Sequence, residues 1–199
     1  MPDLFQIPYS KSSIEFSLPP TMQGDLAISR PFEPLTDVSA AIQEALSDPV
    51  GITPLAELAG ASDRVCIVFT DITRASPDDL LVPALLRELE KAGVQDQNIT
   101  LLCGTGMHRP STPAEKIIKL GAEVATRYPV IDNDPQNPES LVDLGTTPGG
   151  VPVLLHRAAV ETDLLIATGI VEPHQYAGYS GGRKTVAVGA AGEALIAYT

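Results

Sequence analysis

The feature that most constrains the fold is a pair of apolar strands separated by one helix, in the middle third of the chain. The stretches RVCIVFTD (64–71) and NITLLCG (98–104) are the strands. Between them, PDDLLVPALLRELEKAG (77–93) has the apolar spacing of a helix, with a proline at its start and a glycine at its end. Strands so uniformly apolar are typical of parallel sheets covered on both faces. The pattern therefore predicts a β-α-β unit.

The same alternation continues toward the carboxyl end of the chain. It predicts a helix over 112–127 and then strands at SLVDLG, at VPVLLHRAAV and at DLLIATGIV (163–171). A turn, TPGG, precedes the second of these strands. We therefore expect an α/β fold with a Rossmann-like, mostly parallel sheet flanked by helices.

The beginning of the chain has a different character. The first 35 residues are rich in proline and contain two short apolar stretches, LFQIPY and SIEFSLP, which we interpret as strands. The stretch DVSAAIQEALSDP then predicts a helix capped by Thr36 or Asp37. We expect one α/β domain over residues 1–199, with a short β-containing segment at 1–35.

Size and charge exclude several classes of protein. The chain has 199 residues, enough for a sizeable core, and a formal net charge of -12. Such an acidic balance argues against nucleic-acid binding, which normally uses a basic face. No apolar run approaches the roughly 18 residues that span a bilayer, and no secretory signal opens the chain. We expect a cytoplasmic protein without a nucleic-acid or membrane partner.

Three loops after predicted strands contain most of the reactive side chains. They are DITRASP (71–77), GTGMHRP (104–110) and EPHQYAGYSGGRKT (172–185). Ligands of parallel sheets bind at the carboxyl ends of the strands, where such loops lie. The second loop nearly matches a dinucleotide fingerprint but has Arg109 in place of a glycine, and the third nearly matches a P-loop but has Arg183 before its lysine. These near matches suggest a phosphate ligand bound in another way.

Two of the loops contain a histidine. His108 and His174 each follow a predicted strand. Imidazole, with an unperturbed pKa of about 6.5, can both give and take a proton near neutrality. The two residues are candidates for a symmetric acid/base pair acting on opposite faces of one substrate. His156 lies within the predicted strand VPVLLHRAAV and is interpreted as structural.

Three other polar side chains have more than one possible role. Lys184, in a glycine-rich turn, could contact phosphate, form a covalent adduct or be solvated. Asp71 and Arg74 precede a predicted helix, where they could hold hydroxyls and an anion, respectively. Alternatively, Asp71 or Thr73 simply caps that helix. The residue types alone do not choose among these roles.

Taken in order, DITRASP, GTGMHRP and EPHQYAGYSGGRKT resemble the motifs of the nickel-pincer nucleotide-dependent lactate racemase family. The resemblance covers nearly the whole chain. It implies the N-terminal domain of an isomerase, a racemase or epimerase of 2-hydroxy acids, whose C-terminal domain is absent from this chain. The implied partners are a small 2-hydroxy acid substrate, that C-terminal domain and cofactor maturation proteins. We therefore expect the chain alone to be catalytically incomplete.

The resemblance also implies a cofactor and a role for each candidate residue. The cofactor would be a nickel-pincer nucleotide, a nickel pyridinium-3,5-bisthiocarboxylic acid mononucleotide derivative, covalently tethered to Lys184. His108 and His174 would be the catalytic acid/base residues. Asp71 and Arg74 would bind the cofactor, and Arg74 would also bind the substrate. Hydride transfer to the cofactor would avoid a very unfavourable carbanion beside a carboxylate.

The resemblance also implies a further histidine that binds nickel shortly after the lysine, but no histidine follows Lys184 in this chain, so no nickel ligand is assigned. Two other functions also remain open. A non-catalytic phosphate- or nucleotide-binding module would keep the glycine-rich loop but would have no use for paired histidines. A P-loop ATPase is disfavoured by Arg183 and by the glycine- and alanine-rich stretch VAVGAAG, where an amphipathic helix should begin.

Overall fold

The structure is a computed structural model that describes residues 4–28 and 30–198. The chain divides into two compact units, Met1–Thr36 and Asp37–Thr199. The division falls next to the predicted end of the N-terminal segment.

The first unit contains an antiparallel hairpin of strands β1 (Leu4–Tyr9) and β2 (Ser12–Ser17). Both strands were predicted from their apolar residues. Phe5 and Phe16 are paired across the hairpin and stack with ring centroids 5.8 Å apart. Nearly all side chains of the two strands are exposed within this structure.

The second unit contains the remaining strands and the helices. Strands β3 to β10 are, in order, Val65–Thr70, Ile99–Gly104, Val130–Asp132, Leu141–Thr146, Pro152–His156, Leu164–Ala167, Pro173–His174 and Gly178–Tyr179. Helices α1 to α8 are Val38–Ser47, Leu55–Leu58, Asp78–Lys91, Pro113–Leu120, Ala122–Arg127, Arg157–Val160, Arg183–Ala187 and Glu193–Ile196. A 3₁₀ turn at Asp96–Asn98 precedes β4.

The core of this unit is a four-stranded sheet in the order β5-β4-β3-β8, with every neighbouring pair parallel. Every residue of β3 is buried. Ile67 and Phe69 pack on one face with residues of α3, α4 and α5, whereas Cys66 and Val68 belong to a cluster on the other face. Because alternate side chains of a strand point to opposite faces, a strand covered on both sides must be apolar throughout. The predicted α/β fold is confirmed.

The helix predicted over 112–127 begins as expected but is divided in two. Thr112 and Glu115 form a capping box, which satisfies free backbone N–H groups at the start of α4. Gly121 then adopts a φ of 79°, in the left-handed region that glycine enters without steric penalty. The chain turns there, and α5 follows as a separate helix.

The segment between β5 and β8 departs most from the expected pattern. Strands β6 and β7 form an antiparallel pair of their own and are not part of the parallel sheet. The predicted strand VPVLLHRAAV ends at His156, because RAAV forms the short helix α6. The strand predicted over 163–171 is also shorter, Leu164–Ala167.

The register of the sheet brings three strand ends to one edge. Thr70 at the end of β3 pairs with Gly104 at the end of β4, and Val68 pairs with Ala167 at the end of β8. The loops that follow these strands therefore begin side by side. None of the described helices is both long and apolar enough to cross a membrane.

Candidate functional site

A cavity of about 390 Å³ lies at this carboxyl edge of the sheet. Its wall includes Arg74 from the first loop, His108 from the second, and His174 and Lys184 from the third. Four of the five residues singled out from the sequence thus line one cavity. The fifth, Asp71, contacts the ring of His108.

Asp71 is a buried carboxylate that contacts the Nδ1 side of the His108 ring. Its Oδ2 atom lies 2.5 Å from His108 Nδ1, and its Oδ1 atom accepts hydrogen bonds from the hydroxyl and the backbone N–H of Thr73. Burial alone would raise the pKa of the Asp71 carboxyl, but the hydrogen bonds from Thr73 and His108 outweigh it and lower that pKa. Asp71 is therefore ionised near neutral pH. Its bonds from Thr73 close a turn within the loop and do not cap a helix, because α3 begins at Asp78 with Pro77 at its N-cap position and no side-chain capping bond. The alternative in which Asp71 or Thr73 caps that helix is therefore wrong.

His174 is held in a different way, by its own loop. It ends the two-residue strand β9, which pairs with β10 in a small hairpin. Its Nδ1 atom accepts hydrogen bonds from the backbone N–H groups of Tyr176 and Ala177, at 3.3 and 3.2 Å. The other ring nitrogen, Nε2, makes neither of these bonds.

In the neutral form of each ring, these partners assign opposite tautomers to His108 and His174. A nitrogen that faces an ionised carboxylate bears the proton, so His108 is protonated at Nδ1 and has a lone pair at Nε2. A nitrogen that accepts from backbone N–H groups has no proton, so His174 is protonated at Nε2. The Nε2 atom of His108 can therefore accept a proton, while that of His174 can donate one.

The sequence suggested that Lys184 lies in a glycine-rich turn, but the residue lies in the first turn of helix α7. Gly181 and Gly182, with φ of 74° and 49°, lead the chain into this helix. The ammonium group is partly buried. Burial lowers the pKa of Lys184, the nearby charge of Arg74 lowers it further, and Asp71 opposes this only in part. A larger fraction of the amine is therefore neutral than for a lysine in water.

At Gly189, the cavity wall has no room for a side chain. A Cβ atom on Gly189 would lie 2.3 Å from the carbonyl oxygen of Thr185 and 3.0 Å from that of Gly104. The carbonyl of Gly189 accepts a hydrogen bond of 2.9 Å from Gly106 N–H, in the loop of His108. The end of helix α7 is therefore fixed against the loop that follows β4.

Ser180 is a residue of the site that the sequence did not indicate. It is 8% exposed, and its Oγ atom donates to the carbonyl of Ile170 at 2.6 Å and accepts from Glu172 N–H at 3.1 Å. These bonds close the base of the loop that presents His174. A serine beside two glycines is common in loops, so the residue type gave no signal of this role.

The described residues contain no group of three or more His, Cys, Asp or Glu side chains placed to hold a metal ion. His156, the third histidine, lies outside the cavity wall. It is 7% exposed, and its Nδ1 atom accepts from Ala158 N–H at 3.1 Å, capping helix α6.

A parallel sheet with a cavity at the carboxyl ends of its strands defines the α/β class of domain, in which small molecules commonly bind at this edge. The particular family follows from comparison with known proteins. The family model for the lactate racemase N-terminal domain matches residues 9–199, so this chain belongs to that family.

Named relatives agree with this assignment. Lactate racemase of Thermoanaerobacterium thermosaccharolyticum is 34% identical over 188 residues, covering 94% of this chain and 44% of the relative. Lactate racemase of Lactiplantibacillus plantarum is 36% identical over 150 residues, covering 75% and 35%. The chain therefore spans less than half the length of these relatives.

Solved structures give the same result. The lactate racemase apoprotein from T. thermosaccharolyticum matches with a TM-score of 0.82 at 33% identity, over 98% of this chain and 45% of that one. A protein from Thermotoga maritima matches with a TM-score of 0.67 at 27% identity, over 80% and 40%. The first match supports the observed fold over nearly its whole length.

Proposed function

We propose that this chain forms the cofactor-tethering and acid/base part of a 2-hydroxy acid racemase or epimerase. The observation that carries the proposal is the single cavity lined by His108, His174, Arg74 and Lys184, in a chain of the lactate racemase N-terminal family. A phosphate-binding module without catalysis would need the lysine and the glycines but not two histidines with opposite tautomers. The activity belongs to the longer protein that the relatives represent.

The cavity residues fit the organic part of a nickel-pincer nucleotide, the cofactor expected for this family. A covalent tether through a nitrogen needs a neutral amine, which the lowered pKa of Lys184 favours. Arg74 supplies a cation for an acidic group of the cofactor or substrate. A Cβ atom on Gly181 would lie 2.8 Å from the carbonyl of Ile170, so the close packing of this part of the wall requires a glycine. The nickel ligand is not assigned.

When bound, such a cofactor supplies a hydride acceptor. The protein's own task is then to move the hydroxyl proton and to hold the carboxylate. Arg74, in the cavity wall, binds and orients the carboxylate of the 2-hydroxy acid. His108 takes the hydroxyl proton at Nε2, and the ionised Asp71 stabilises the positive charge that results on the ring. His174 presents Nε2–H as the proton donor.

The proposal is tested by intact-mass analysis of the full-length protein, expressed with its maturation proteins and nickel. We expect a mass increment that peptide mapping assigns to Lys184 and that Lys184→Arg abolishes. Arg183→Ala, a change in the neighbouring exposed cation, is the matched control and should keep the mass increment.

The same preparation should racemise at least one member of a panel of 2-hydroxy acids in a chiral assay. Bound cofactor without an adduct at Lys184 would rule out the tether, and loaded protein inactive on the whole panel would rule out the racemase.

A further inference from the structure

A buried ion pair lies beneath the loop that follows β3. Lys119 of helix α4 and Asp78, the first residue of α3, are 6% and 0% exposed, and Lys119 Nζ lies 2.9 Å from Asp78 Oδ2. Taking two charges out of water is unfavourable, and a buried pair often stabilises a fold no more than apolar residues of the same size. Stability alone therefore explains this pair poorly.

The partners of Asp78 tie two strand ends together. Its carboxylate accepts from the hydroxyl and the backbone N–H of Thr70, at the end of β3, at 2.6 and 3.2 Å. It also accepts from the hydroxyl of Thr168, just past β8, at 2.6 Å, and from that of Ser76 at 3.0 Å. Asp78 is thus fully hydrogen-bonded at the edge where the cavity begins.

The partners of Lys119 lie in the loop itself. Its ammonium donates to the carbonyl oxygens of Ser76 and Arg74, at 2.8 and 3.2 Å, as well as to the hydroxyl of Thr70 at 3.1 Å. Arg74 N–H in turn donates to the carbonyl of Asp71 at 3.1 Å. Lys119 therefore fixes the loop backbone at Arg74, the residue whose side chain lines the cavity.

We propose that Lys119 and Asp78 are positioning residues that set the place of the Arg74 side chain in the cavity. This inference rests on the proposed function, in which Arg74 binds the substrate carboxylate. Neither residue of the ion pair lines the cavity. It acts by fixing the carbonyl of Arg74, and through the same loop it also affects Asp71.

Amide hydrogen exchange tests the positioning without any activity measurement. The variant Lys119→Met with Asp78→Asn removes both charges, so neither is left buried and unpaired. We expect the amides of Thr73 and Arg74, which bond to Asp71, to exchange roughly tenfold faster, as for one lost hydrogen bond, while those of β3 and β4 keep their protection. Lys91→Met with Glu88→Gln is the matched control, because it removes both charges of the pair between an exposed lysine and a buried glutamate near the other end of α3. It should change the exchange of neither set of amides.

If the double variant fails to fold, Thr168→Val replaces it, since it removes one hydrogen bond to Asp78 with almost no change in shape. The same preferential increase in exchange at Thr73 and Arg74 is expected. Unchanged exchange at these two amides in a folded variant would overturn the proposal.

A kinetic cycle in the loaded, full-length protein links the ion pair to Arg74. The Lys119→Met, Asp78→Asn variant should raise KM for the 2-hydroxy acid roughly 10–10²-fold. In an Arg74→Ala background the same two changes should raise KM little further, because the residue they position is already gone. Additive effects would mean a general structural role and would overturn the proposal. If Arg74→Ala alone leaves KM unchanged, the assigned role of Arg74 fails, and hydrogen exchange still decides the positioning.

Discussion

The two histidines of the cavity are positioned by different kinds of structure. His108 has a side chain that is 46% exposed and depends on the buried carboxylate of Asp71, which lies 37 residues earlier in the chain. His174 depends on backbone N–H groups two and three residues further along its own loop. One ring therefore needs the packed sheet to hold its partner in place, while the other needs only its local hairpin. A perturbation of the sheet edge should affect the first ring and spare the second.

The largest expected effect comes from removing either ring. In the cofactor-loaded full-length protein, His108→Ala and His174→Ala should each lower kcat by about 10²–10⁴-fold, the usual contribution of a general acid or base. A chiral assay of both enantiomers measures the loss, and the mass increment at Lys184 shows that cofactor loading is intact. Full activity of either variant would show that the residue is not part of the acid/base pair.

Asp71→Asn should have a smaller effect, exerted on His108 but not on His174. The variant keeps the shape of the side chain but loses its negative charge, and we expect kcat to fall roughly 10–10²-fold, as when an outer partner of an active-site histidine is lost. Ring ¹⁵N chemical shifts should show that His108 is no longer confined to the tautomer protonated at Nδ1. The shifts of His174 should be unchanged.

Thr73→Val is the matched control for this prediction. It removes the hydroxyl that bonds Asp71 Oδ1 but leaves the contact of Oδ2 with His108. Its effect on kcat should be much smaller than that of Asp71→Asn. Equal losses in the two variants would show that the effect does not depend on the contact of Oδ2 with His108. Altered ¹⁵N shifts at His174 would show that the two rings are not positioned independently.

The sequence was sufficient to predict three of the four strands of the parallel sheet and the convergence of the three loops at its edge. Strands β3 and β4 are buried on both faces, and this burial is what makes them recognisable as apolar runs. Strand β5, Val130–Asp132, has only three residues, too few to show any periodicity, and it was not predicted. Strand β7 and helix α6 share one apolar run, so the boundary at His156 could not be located.

The candidate site was predictable in its residues but not in its geometry. His108, His174 and Lys184 could be singled out because they stand beside glycines after apolar strands. The link between Asp71 and His108 is a contact between distant loops, and no local pattern encodes it. The pair of Lys119 and Asp78 was missed for another reason, since charged residues on a helix usually face water and their spacing gave no sign of burial.

Gly189→Ala should disturb the contact between helix α7 and the loop of His108. The added Cβ would meet backbone oxygens of Thr185 and Gly104 that cannot move aside without shifting the helix. We expect the free energy of unfolding to fall by about 1–3 kcal/mol, as for overpacking of a well-packed core. Gly149→Ala is the control, because its Cβ would meet only Thr147 Oγ1 at 3.8 Å. Denaturant titration measures both variants, and equal stabilities would contradict the proposed contact.

The smallest expected effect concerns His156, the histidine that is structural rather than part of the cavity. Burial lowers its pKa, and the charge of Arg157 lowers it further, against a weaker opposing effect of Asp134. Above the unfolded value of about 6.5 the ring is neutral in both states and contributes no pH dependence. Below that pH the unfolded chain takes up the proton more readily, so the free energy of unfolding falls until the folded pKa is also passed.

His156→Asn isolates this contribution from that of the two cavity histidines. Asparagine at the same helix-capping position can still accept from Ala158 N–H but does not titrate. Stability measured by denaturant between neutral and mildly acidic pH should therefore fall less steeply in the variant than in the parent protein, whatever the absolute difference between them. Identical slopes would mean that His156 takes up its proton as easily in the folded protein as in water, which would contradict the lowering of its pKa by burial.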